Sequence, residues 1–274
     1  MKKAIYILLL SFVVLFASCN SYNKLITTNN IDYKYEAAKA YYLEGGYSKA
    51  APLFESMITI LKGSDKAEES LILLAQCYYE SGDYETASQY FKVYYSNYPR
   101  GEFAEYARFH SGKSLFKNIA EPELDQSGTY LAISELQLFM EYFPLSKLRP
   151  EAQEMIVAMH DLLVEKDYLS AKLYYDLGDF MAYKGNNYEA CIITAQNALK
   201  DYPYTKLREE LSVLILRSKY QMAHKSVEEK KLDRYRDTID EYYAFKNEFP
   251  ESKYLKEADR YFKEARKFVK EDNN

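Results

Sequence analysis

Cys19 is the residue of this 274-residue chain whose neighbours point most directly to a chemical fate. It follows a leader that begins Met1-Lys2-Lys3, runs on as an apolar stretch from Ala4 to Ala17 broken only by Ser11, and ends on Ser18. The two lysines hold the start of the chain on the cytoplasmic side. The apolar stretch has the length of a secretory core and falls short of the roughly 20 residues that span a bilayer. Small residues occupy both positions before Cys19, as signal peptidase II requires. The expectation is that residues 1–18 are removed and that Cys19 carries a covalent diacylglycerol and an N-acyl lipid, with no other cofactor. Each buried methylene of such chains contributes about 0.8 kcal/mol, so the anchorage is effectively permanent. The alternative is an ordinary cleaved signal peptide with an incidental cysteine.

The other residues that could do chemistry are badly spaced for it. His110, His160 and His224 stand far apart, with no His-Glu-x-x-His, no Cys-x-x-Cys and no carboxylate cluster at ligand spacing, so no metal is expected. A Gly-rich phosphate loop and a Gly-x-Ser-x-Gly elbow are both missing. Cys77 and Cys191 each lie inside an apolar helical pattern and read as two buried small residues, with a single disulfide between them as the alternative. The acidic residues read as solvated helix faces. The chain is therefore not expected to be an enzyme. Its net charge is −5, more negative once Lys2 and Lys3 are lost, and nucleic acid is not an expected partner.

Apolar residues recur at helical spacing from Tyr33 to Val269, and no segment alternates with the period of a strand. Within this pattern lies an internal repeat. Four times an aromatic residue and a proline close a helical stretch, as Tyr98-Pro99, Phe143-Pro144, Tyr202-Pro203 and Phe249-Pro250, and each proline follows by the same offset a small residue, Ala87, Ala132, Cys191 or Thr238. On the same face follow Phe91 and Tyr94, Leu136 and Phe139, Ala195 and Ala198, and Tyr242 and Phe245. A small residue lets a partner helix approach, the apolar ones fill the seam, and proline stops the helix. Upstream, Leu74, Ala75 and Tyr78 supply the partner helix and Gly82-Asp83-Tyr84 the turn. Gly45-Gly46-Tyr47 repeats that turn earlier.

These residues resemble the tetratricopeptide repeat, whose period is 34 residues. The resemblance predicts an all-α fold, a right-handed superhelical array of about five tetratricopeptide-like hairpins plus a C-terminal capping helix at about Ser252–Lys270. Residues 19–31 would be a lipidated linker, 32–144 the first three repeats, and 145–274 the fourth, the fifth and the cap. Asn118–Gly128 is expected as a loop inside the third repeat, Glu151–Lys184 as a long or paired helix, and Lys225–Lys231 as an extended linker. The pattern puts Tyr35, Lys39 and Tyr42, then Glu69, Ile72, Gln76 and Tyr79, then Tyr106, Phe109, Lys113 and Phe116 on a peptide-binding face of the first helices, suited to extended peptides with aromatic side chains. The thirty tyrosines are otherwise seam packing.

Phe16-Ala17-Ser18-Cys19 resembles a bacterial lipobox, with Phe16 where Leu is usual. Asn20 and Ser21 follow, without the aspartate that by analogy with enteric bacteria retains lipoproteins at the inner membrane. The inner leaflet of the outer membrane, facing the periplasm, is the expected address. A lipobox followed by five such repeats resembles the BamD family, the YfiO/ComL lipoproteins of the β-barrel assembly machinery. The resemblance also rests on Ser146, Thr205 and Ser252 two residues after three of the prolines, and on Asp167–Tyr175 before Gly185. It implies that the N-terminal repeats receive C-terminal segments of unfolded outer-membrane proteins, and that the C-terminal repeats dock on a BamA-like β-barrel assembly protein among other assembly-complex lipoproteins. Two other readings are a periplasmic scaffold for cell-envelope complexes, often marked by an N-terminal coiled coil not seen here, and a glycan-binding lipoprotein of the SusD type, a longer class that uses the tryptophan this chain lacks.

Overall fold

The structure, a computed structural model, describes residues 22–180 and 186–271; the expected signal peptide and Cys19 lie outside them. Among the described residues every regular element is an α-helix. A short helical stretch at 22–27 precedes α1 (Ile31–Leu43), α2 (Tyr47–Ile58), α3 (Ala67–Glu80), α4 (Tyr84–Asn97), α5 (Ala104–Lys117) and α6 (Ser127–Tyr142). Then come α7 (Arg149–Leu177), α8 (Asn187–Asp201), α9 (Arg208–His224), α10 (Glu228–Glu248) and α11 (Leu255–Glu271). The sequence of helices is that of five tetratricopeptide-like hairpins, α1/α2 to α9/α10, followed by α11 as the cap.

The chain forms two compact units. The first holds the described residues up to Ala120 together with Ser127–Ile156, and the second holds Glu121–Gln126 and the described residues from Val157 onward. Each consecutive helix of the first unit packs on the one before it. In the second, Val164 and Ala171 of α7 share a core with Cys191 and Ala195 of α8 and Leu211 and Ile215 of α9. Tyr235 and Phe245 of α10 share another with Leu216 of α9 and Tyr261 and Ala265 of α11.

The seam residues explain why these helices pair. Ala87, Ala132, Cys191 and Thr238 are fully buried, and so are Phe91, Tyr94, Leu136 and Phe139 that follow the first two. Small side chains at those four positions bring the neighbouring helix close, and the apolar side chains behind them fill the seam. Cys77 and Cys191 are both buried free thiols, as the small-residue reading has it. Burial pushes the Cys77 thiol up to about 12.

The punctuation recurs as well. Gly45 and Gly82 take the left-handed conformation, with φ of 75° and 83°, that ends the first helix of repeats one and two at no steric cost. Asp83 then caps α4, its side chain accepting from the Thr86 amide at 3.1 Å. At the repeat ends Tyr98, Tyr202 and Phe249 share nearly one backbone conformation, with φ of −126°, −129° and −124°. The proline that follows disfavours the helical region for them and so stops the helix. Ser146, Thr205 and Ser252 accept from the amides of Leu148, Leu207 and Tyr254 at 3.0, 3.1 and 3.0 Å, turning the chain into the next helix.

Of the two arrangements open for the stretch from Glu151, the chain forms the long helix, 29 residues over Arg149–Leu177. One expectation about the inserted segments changes. The linker drawn at Lys225–Lys231 shrinks to Lys225–Val227, because α10 already begins at Glu228 with Val227 extended before it. The loop of the third repeat does form, over residues 118–126. Gln126, 3% exposed, folds it by donating to the Glu121 carbonyl at 2.7 Å.

Candidate peptide-binding face

The first unit sets α1, α3 and α5 side by side through contacts that follow the repeat. The Tyr35 hydroxyl donates to Glu69. Tyr42 donates to Gln76 Oε1 at 2.6 Å, and Lys66 pairs with Asp32 at 2.7 Å. Each of these pairs joins residues 34 apart, which is one repeat period. A stagger of one repeat thus places donor over acceptor, the hydroxyls of α1 on acceptors of α3 and the Lys66 ammonium just before α3 on Asp32 of α1.

The row continues across α5. Gln76 bonds the Tyr106 hydroxyl, and the Tyr106 ring stacks on His110 at 3.7 Å. Tyr79 meets His110 edge-on at 5.5 Å and Phe91 at 6.4 Å. Lys113 pairs with Glu151 of α7 at 2.7 Å and lies over the Phe109 ring at 5.5 Å. Lys39 pairs with Glu69 at 2.8 Å and lies over Tyr35 at 5.3 Å.

Of the eleven residues expected here, Lys39, Tyr42, Glu69, Gln76, Tyr79, Tyr106, Lys113 and Phe116 are partly exposed in the free chain. The other three differ. Ile72 and Phe109 are 2% and 1% exposed and belong to the helix seams, and the Tyr35 ring is buried with its hydroxyl committed to Glu69. The cause is geometric: neighbouring helix positions are 100° apart, so a face read from the repeat pattern includes residues at its edge that turn inward.

The electrostatics suit binding rather than proton transfer. Desolvation by burial raises the Tyr42 and Tyr79 phenols to about 12, so both stay protonated donors. Lys39 and then Tyr35 hold the Glu69 carboxyl below its ordinary value, so it stays ionised. Burial lowers His110 to about 4 and keeps it neutral at physiological pH. Each exposed charge of the row has its opposite beside it, and the face carries aromatic and amide groups between balanced ion pairs. Sequence reasoning passed over His110 and Glu151. Glu151 sits 38 residues from Lys113, off the 34-residue period.

Among the described residues no group of His, Cys, Asp and Glu could hold a metal ion, and no helix is long and apolar enough to cross a membrane. The fold defines a tetratricopeptide-like helical array. A family model described as outer membrane lipoprotein, YfiO, matches residues 28–182, more than half of the chain. This chain therefore belongs to the YfiO family of outer membrane lipoproteins, which are not enzymes. The outer membrane protein assembly factor BamD of Neisseria meningitidis serogroup B (strain ATCC BAA-335 / MC58) is 25% identical to it over 225 residues, 77% of this chain and 76% of that protein.

Proposed function

We propose that this chain assists the assembly of β-barrel proteins into the outer membrane without making or breaking bonds, as the name of its meningococcal relative implies for that protein. The observation that carries the reading is the continuous row Lys39, Tyr42, Gln76, Tyr79, Tyr106, Lys113 and Phe116, partly exposed on helices that stand one repeat apart. An unfolded outer-membrane protein offers an extended segment with alternating aromatic side chains and unpaired backbone amides. Phenol and amide groups at Tyr42, Gln76 and Tyr106 match that backbone, and the Tyr79 and Phe116 rings match its side chains. Paired charges leave the row without a net field that would select only charged clients.

The client's C-terminal segment would lie on the first unit, and the second unit would engage a BamA-like partner and the other lipoproteins of the assembly. A lipid on Cys19 would hold the chain on the periplasmic face of the outer membrane, where clients arrive.

Two measurements test this. Photo-crosslinking groups placed at Tyr79 and Phe116 in living cells are expected to capture unfolded outer-membrane proteins, whereas groups at exposed Leu43 and Lys62 capture none. Gentle solubilisation and capture through a C-terminal tag is expected to bring down a BamA-like β-barrel protein. Absence of that protein from the captured material sinks the assembly reading.

A further inference from the structure

The capping helix α11 sorts its charges by direction. Glu257, Asp259 and Glu264 are engaged within the second unit. Glu257 accepts from Arg217 Nε and Nη2 at 2.9 and 2.7 Å and from the Tyr261 hydroxyl at 2.7 Å. Asp259 accepts from the Tyr242 hydroxyl at 2.6 Å, and Glu264 accepts from Tyr220. With these carboxylates so held, one sector of the solvent face is left to cations, and Glu264 stands exposed at its edge. Lys256, Arg260, Lys263 and Lys267 are all exposed, and their spacing places them within about 60° of the helix circumference. Lys256, Lys263 and Lys267 make no ion pair with a described residue. This stripe belongs to a chain whose net charge is −5, so it is not a by-product of a basic composition.

We infer that the outward face of α11 is a second membrane contact, taking the phosphate headgroups of anionic phospholipid. Three features select a lipid surface over an acidic protein. The chain belongs to a family of outer membrane lipoproteins, so a bilayer is its working environment. Lysine predominates in the stripe, and lysine is a point charge that suits diffuse phosphates, whereas it is depleted from the cores of protein interfaces. No exposed aromatic or aliphatic side chain lies among the four cations to anchor a protein partner. Each basic residue close to an anionic membrane adds to the attraction, and four of them give a contact that is salt-sensitive and reversible. The contact would orient the second unit at the bilayer, a role distinct from the lipid on Cys19.

The test uses the mature chain with Cys19→Ser, which carries no lipid, and vesicles of phosphatidylethanolamine with phosphatidylglycerol against vesicles of phosphatidylcholine alone. Sedimentation with the anionic vesicles is expected at low salt, to be lost at high salt, and to be absent with phosphatidylcholine. The combined variant K256Q/R260Q/K263Q/K267Q should weaken vesicle binding at least tenfold with an unchanged circular dichroism spectrum, while D237N/D240N on the exposed side of α10 should not weaken it. The inference is overturned if the unlipidated chain does not bind anionic vesicles, or if the combined variant binds them as well as the parent. It is equally overturned if the combined variant keeps vesicle binding and instead loses capture of an acidic protein. None of these outcomes depends on whether clients bind α1, α3 and α5.

Discussion

Gly112 stands in the middle of α5, where glycine is a poor helix former, and the reason is its neighbour. A Cβ there would meet Leu136 Cδ2 at 2.6 Å and Cγ at 2.8 Å, so the absence of a side chain is what lets α6 approach. Gly112→Ala should therefore lower stability by about 1–3 kcal/mol despite its better helix propensity, as read by urea unfolding. A neutral or stabilising result would show that Leu136 has room to move. His110 gives a pH prediction at the same scale. Its folded pKa is about 4, below the 6.5 of a free histidine, so between those values the unfolded chain takes up a proton that the fold refuses. Stability contributed by the neutral ring is thus complete above about pH 6.5 and is lost as pH falls toward 4. Glu69 and Glu257, whose pKa values are lowered, act in the same direction but in a lower window, losing stability as pH falls below the ordinary carboxylate value of 4.5. His110→Phe keeps a ring against Tyr106 and should flatten the stability profile between pH 6.5 and 4 while leaving the steeper loss below it. An unchanged slope in that window would assign it to other groups.

Hairpin geometry is where sequence and structure agree best, because the signals are local and physically forced. A small residue, an apolar side chain four residues on and a proline leave little freedom: all four small positions are fully buried, and three aromatic-proline joints share one backbone conformation. The helix α7 was harder to read, since neither proline nor capping sequence divides its 29 residues, and a long helix and two stacked ones share the same apolar period. The start of α10 was hidden for another reason. Glu228-Glu229-Lys230-Lys231 has no apolar residue to show a period, yet the two glutamates favour a helix N-terminus through its partial positive charge. The candidate face was readable as a list of helix positions, but which of them point outward depends on side-chain packing that no spacing encodes, as Ile72 and Phe109 show. One turn tests the capping argument. Asp83→Ala removes the acceptor for the Thr86 amide and should cost about 1 kcal/mol, whereas Asp83→Asn should cost little because it keeps an acceptor. Equal losses from the two substitutions would mean that charge at the helix start, rather than the cap bond, is what matters.

At the scale of the whole chain, stacked repeats hold each other by neighbour contacts, so anchorage at one end and folding elsewhere are separable. Cys19 precedes the first described helix, and Leu25 is the first described side chain buried against α1 and α2. Cys19→Ala should therefore leave the thermal unfolding of the array unchanged while abolishing lipid attachment. Its effect on location then depends on salt. If the lipid is the main anchor and α11 a weak electrostatic contact, the variant should leave the membrane fraction partly at low salt and fully at high salt, because the stripe's attraction is screened within about 8 Å at physiological ionic strength. Adding K256Q/R260Q/K263Q/K267Q should release the remainder without raising the salt. A Cys19→Ala protein that stays membrane-bound in high salt would place the anchorage in partner proteins, and full release of the single variant at low salt would leave α11 no share in it.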